Sequence, residues 1–140
     1  MWAGESPQLP LLLKDGSIGW GIWGQPYQDV AIAAVPKGGW ARLESIKDGK
    51  WKRFKPLPVK IPATAFMERA RDGSEVWFPI TDGLVIQGAA IAQPNQLYTA
   101  ERGKSILRIY VVTQPAIGDV AAVHDRMPRL VPKEKPPVGG

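Results

Sequence analysis

The sequence predicts a strand-rich α+β domain, and three observations carry that prediction. Glycine and proline are abundant, 15 and 14 of 140 residues, which suits short strands joined by turns better than long helices. Apolar runs with β-branched residues recur at strand length, as at 84–91 and 106–113. Between two further runs stands Arg71-Asp72-Gly73-Ser74, the strongest hairpin signal in the chain. Together these describe a small mixed domain with a partly closed, barrel-like sheet and one or two short helices.

In chain order, residues 9–13 form a short apolar strand, Lys14-Asp15-Gly16 a turn, and residues 17–23 a second strand rich in glycine and tryptophan, so a hairpin is expected. Trp20 and Trp23, three apart in a strand, point to opposite faces, with core filling the default for both. Residues 29–35 are a small apolar run ended by Pro36. Gly38-Gly39 then permits a tight turn or a close backbone approach before Trp40. Residues 59–61 are extended, because each proline disfavours helix in the residue before it. Residues 66–69 and 75–80 flank the hairpin turn, and 84–91 and 106–113 read as central strands separated by a polar loop. Residues 116–123 are the best helix candidate and would deliver His124 at the helix C-terminus. Residues 132–140 carry nothing to bury and read as a disordered tail behind one domain over 1–131.

Composition narrows the function classes. No apolar run approaches the ~20 residues needed to span a bilayer, and the N-terminal stretch lacks the basic and apolar regions of a signal peptide. The expectation is a soluble intracellular protein, cytoplasmic or nucleoid-associated, with no membrane partner. The absence of cysteine excludes disulfides, thiolate nucleophiles and sulfur-ligated metals, and a single histidine leaves no metal cluster to assemble. Neither metal nor cofactor is expected. The net charge of +5 is concentrated in residues 47–60, where six basic residues face one acidic residue. Interleaved with Trp51 and Phe54, this segment suits a partner offering phosphates and flat bases, with Lys52, Arg53 and Lys55 as contacts. The alternative is a solvated loop whose lysines serve solubility.

Four segments, taken in order, carry a more specific signal. They are Gly19-Trp20-Gly21-Ile22-Trp23, Trp40-Ala41-Arg42-Leu43-Glu44, Ile61-Pro62-Ala63-Thr64-Ala65-Phe66-Met67-Glu68 and His124-Asp125-Arg126-Met127-Pro128. Their order and content resemble the SRAP family, whose members shield abasic sites in single-stranded DNA; the match runs over about residues 9–132, and the chain reads as a shortened relative. In that family an N-terminal cysteine forms a thiazolidine crosslink with the abasic aldehyde. Here Trp2 stands where the resemblance places that cysteine, and Trp40 replaces the family's asparagine. The resemblance implies Glu68 and His124 as the active-site acid/base pair, and Arg42 and Arg126 as phosphate contacts. Trp40 could fill the altered pocket or stack an unpaired base. The structural alternatives are ion pairs of Arg42 with Glu44 and of Arg126 with Glu68, and a His124 that satisfies backbone carbonyls.

The leading expectation is therefore an SRAP-like protein of the DNA damage response. It would hold single-stranded or abasic-site DNA through Arg42, Arg126, Trp40 and the basic segment, without covalent capture and without peptidase activity. A second reading is a Schiff-base lyase using the Met1 α-amine or Lys60, with Glu68 and His124 moving protons. A third is a non-catalytic interaction or decoy protein of a mobile element or virus, with a protein partner.

Overall fold

The computed structural model describes residues 8–13, 15–24, 36, 38–93 and 106–134. The apolar run at 29–35, the loop around Pro94 and Arg102, Met1 and Trp2 lie outside the described residues. The chain is an α+β domain dominated by a mixed sheet. Strands β1 (Gln8–Leu12) and β2 (Ile18–Trp23) form the expected hairpin, and β3 (Trp40–Arg42) runs directly into helix α1 (Leu43–Lys47). A 3-10 turn (Lys52–Phe54) leads to β4 (Leu57–Ile61). The hairpin β5 (Ala65–Arg69) and β6 (Glu75–Pro79) follows, then the long strands β7 (Leu84–Gln93) and β8 (Ile106–Pro115). Helix α2 (Gly118–Ala121), β9 (Arg126–Pro128) and β10 (Leu130–Pro132) complete the order.

Both hairpin turns are built from the same three residues. In Asp15-Gly16-Ser17 and Asp72-Gly73-Ser74 the aspartate carboxylate accepts the Ser17 or Ser74 backbone N–H at 2.9 Å, and the hydroxyl as well. These hydrogen bonds hold both aspartates below their ordinary pKa. The glycines sit at φ 86° and 88°, the left-handed region that closes a three-residue hairpin loop and that side chains resist.

Strand β8 is the spine of the sheet. Along one edge it pairs in parallel with β2 and then with β3; along the other it pairs antiparallel with β7 and then with β9. The opposite edge of β7 carries β4. After β9 the chain crosses from β8 to β7 through Arg129, which donates its backbone N–H to Val112 and accepts that of Gln87, and β10 then pairs with the start of β7. At the far ends β1 lies against β4 without a ladder between them. Among the described residues the sheet curls but does not close.

Alternation along β8 divides the interior in two. Ile109 and Val111 point to the larger core, with Leu11, Ile61, Ile86 and Ala90, beneath the β5–β6 hairpin whose Phe66 and Phe78 rings stack at 5.4 Å. Tyr110 points to the opposite face, with Ala41 and Ile91, covered by Ile46, Trp51 and Phe54 from the α1 region.

The structure departs from three sequence expectations here. The helix expected over 116–123 is a single turn, because Ile117 is extended at φ -130° and ψ 163° and Gly118 sits at φ 59°, so the residues before Gly118 are not helical. Trp20 does not fill the core and is 63% exposed. Pro132, expected at the start of a disordered tail, pairs with Leu84, and Lys133 donates its N–H to Gly83; residues 135–140 lie outside the described residues. Among the described residues no helix is long and apolar enough to cross a membrane.

Candidate functional site

An apolar cleft of about 400 Å³ opens on the larger-core face of the sheet. Its walls come from distant parts of the chain: Leu9 of β1, Trp23 of β2, Trp40 of β3, Pro62 and Met67 around β5, and Pro128 of β9. Trp23 and Trp40 meet edge to face with ring centres 5.5 Å apart. Trp23 is fixed in turn, its Nε1–H donating to the Gly39 carbonyl at 2.8 Å. Gly39 makes this close approach possible, since a Cβ there would stand 2.5 Å from Trp23 Nε1. The close approach read from Gly38-Gly39 is thus present, with an indole as the neighbour.

One residue beyond Met67 on β5 stands Glu68, and the segment after α2 brings His124 to it. His124 Nδ1 lies 3.6 Å from Glu68 Oε1. The Glu68 side chain is largely buried and that of His124 is nearly half exposed. Burial raises the Glu68 carboxyl above its ordinary pKa, and the facing imidazole offsets part of that rise. His124 Nδ1 is bracketed by the backbone of Arg126, with its N–H at 3.1 Å and its carbonyl at 3.0 Å. A neutral imidazole carrying its proton on Nε2 accepts the N–H; an imidazolium donates to the carbonyl and faces the Glu68 carboxylate. At 3.6 Å the two side chains are within ion-pair range but beyond hydrogen-bond distance.

Arg126 is held from within. Its guanidinium donates to both Glu44 oxygens, at 2.6 and 2.9 Å, and to the carbonyl and hydroxyl of Thr113, at 3.0 and 3.1 Å. These hydrogen bonds pull the Glu44 carboxyl down to about 2 and raise Arg126 further. The ion pairs considered for Arg126 with Glu68 and for Arg42 with Glu44 are replaced by this one. The reason is geometric: β3 runs straight into α1, so Glu44 turns toward β9 while Arg42 stays exposed on β3.

The basic segment lies elsewhere. Trp51 and Phe54, read as stacking partners for bases, pack inward: Trp51 meets Tyr110 at 5.2 Å and Phe54 meets Trp51 at 5.9 Å. They pin the 3-10 turn to the Tyr110 face, opposite the cleft. Lys52, Arg53 and Lys55 are exposed there, with the Arg53 guanidinium over the Phe54 ring at 4.6 Å. Lys60, the lysine considered as an amine source, donates to the Lys133 carbonyl at 2.7 Å. The structure thus pairs Glu68 with His124, keeps Trp40 and Arg42 two apart on β3, commits Arg126 internally, and leaves the three basic residues on the other face. Sequence reasoning missed Thr113 as the second support of Arg126, and the Gly39–Trp23 contact that braces Trp40. Among the described residues no group of three or more acidic or histidine side chains is placed to hold a metal.

Fold and site together define an α+β domain with a curled mixed sheet, an apolar cleft and a carboxylate–imidazole pair. No family model and no curated protein matches the chain. Among solved structures, the fold is similar to that of a protein from Bacteroides thetaiotaomicron, determined by X-ray crystallography as a structural genomics target. The two share 15% identity at a TM-score of 0.64, over 91% of this chain and 60% of that one. The chain thus spans less than two thirds of that neighbour's length.

Proposed function

We propose that this chain is an SRAP-like protein that holds single-stranded or abasic-site DNA without covalent crosslinking. One observation carries the reading: the four segments behind the resemblance converge on one place. Trp23, Trp40, Met67 and Pro128, one from each segment, line the same cleft, and Glu68 and His124, from the last two segments, stand 3.6 Å apart. Arg42 is an exposed cation two residues beyond Trp40 on the same face of β3, whereas Arg69, next to Glu68, is paired with Glu75. Phosphate contact falls to Arg42, on the face of β3 that carries Trp40. Lys52, Arg53 and Lys55 serve as a second site, reached by a strand passing over the edge of the sheet, while Arg126 supports the site from inside.

Fluorescence anisotropy with single-stranded oligonucleotides over a salt series tests this. Affinity should fall as salt rises, and Arg42→Ala should flatten the log–log slope by about 0.7, the value for one single-strand phosphate contact. Absent or salt-independent binding refutes the reading. A protein–DNA band trapped by borohydride on abasic DNA, lost in Glu68→Gln, would move the assignment to the Schiff-base lyase, which the same carboxylate–imidazole pair could serve.

A further inference from the structure

The walls of the cleft say what it accommodates, and the argument rests on the DNA-binding reading above. Trp40 is 52% exposed at the cleft mouth, so its ring is not spent on the core. Its orientation is nevertheless fixed. Trp23 meets it edge to face at 79°, and Trp23 is held by the Gly39 carbonyl and by the missing Cβ at Gly39. A rigid, half-exposed indole is a surface on which an unpaired base stacks with little ordering cost. The walls beyond it, Leu9, Pro62, Met67 and Pro128, are apolar. The volume of about 400 Å³ lies in the range of small-ligand sites. A deoxyribose without its base brings hydroxyls but no flat apolar surface, and would leave the indole and these walls facing water. Arg42 lies about 6.6 Å further along the same face of β3, given two residues of strand rise, within reach of the phosphate flanking a base stacked on Trp40.

We infer that the cleft is a base pocket: Trp40 stacks one intact unpaired base while Arg42 holds its phosphate. Of the two strands allowed by the reading above, the protein therefore prefers the one that keeps its base.

The test uses two labelled oligonucleotides made of abasic spacer residues, one of which carries a single central thymine. Wild-type protein should bind the thymine-bearing strand more tightly, by roughly 5- to 150-fold, the equivalent of one base–aromatic stack. Trp40→Ala should erase the difference while leaving the salt dependence intact, and Trp40→Phe should keep part of it and serve as a folding control. Equal affinity of wild type for the two strands, or a preference that survives Trp40→Ala, overturns the inference alone. If wild type binds neither these strands nor ordinary single-stranded DNA, the DNA-binding reading falls and the inference with it.

Discussion

The brace behind Trp40 makes a quantitative prediction. Gly39 does not have a positive φ, so alanine is not resisted there by φ; the nearest obstacle is Trp23, 2.5 Å from the new methyl at Nε1 and 2.9 Å at Cε2. The indole must swing off, and it loses its hydrogen bond to the Gly39 carbonyl. That carbonyl keeps the Val111 N–H at 2.9 Å, so it is not left unsatisfied. Overpacking and one lost hydrogen bond, less the entropy that alanine removes from the unfolded chain, give Gly39→Ala a net cost of about 1–3 kcal/mol. Trp23→Phe removes the donor and vacates the space where the clash occurs. In that background Gly39→Ala should cost less, with a coupling of about 0.5–3 kcal/mol in a double-mutant cycle by urea unfolding. Trp40 should lose its fixed orientation in Gly39→Ala, seen as a change in near-ultraviolet circular dichroism. Additive costs in the cycle, or a Gly39→Ala protein as stable as wild type, would refute the argument that Trp23 and Gly39 are fitted to each other.

Two further predictions concern the carboxylates. Glu44 is held from its ordinary 4.5 down to about 2, chiefly by the Arg126 hydrogen bonds. A folded value below the unfolded one means that its contribution is full at neutral pH and lost as pH falls through that window. Glu44→Gln should therefore flatten the acid limb of stability against pH; the resonances of His124, the one histidine in the chain, should shift with it, because the Arg126 backbone brackets that ring. Glu68 shows the opposite sign: burial raises its carboxyl, so folding favours the protonated form and the charged form costs stability at neutral pH. Glu68→Gln should be at least as stable as wild type at neutral pH, with the gain shrinking as pH falls through the carboxylate range, measured by urea midpoints across pH.

What the sequence revealed and what it hid follow from how local each signal is. The Asp-Gly-Ser turns specify their hairpins through contacts two residues apart, and the long apolar runs of β7 and β8 are buried on both faces, so each could be read in isolation. Residues 116–123 have the composition of a helix, yet the extended Ile117 and the left-handed Gly118 limit it to one turn. Trp51 and Phe54 looked like stacking groups because composition does not say which way a ring points; the 3-10 turn sets them both against the Tyr110 face. The proximity of Glu68 and His124 was legible only through the segments that carry them. The partner of Arg126 was not, since Glu44 reaches it across 82 residues with no pattern connecting the two.

The position of β8 also governs the order in which the molecule can be made. Strands β2, β3, β7 and β9 all rest on it, and three of them are synthesised before it. Until the ribosome has passed Pro115, the nascent chain can form the hairpins β1–β2 and β5–β6 and the β4–β7 pair, but not the sheet that joins them, and β2 and β3 wait with unpaired edges. Topologies with such distant pairings fold slowly. The cleft, whose walls are drawn from β1, β2, β3, β5 and β9, is among the last features to exist.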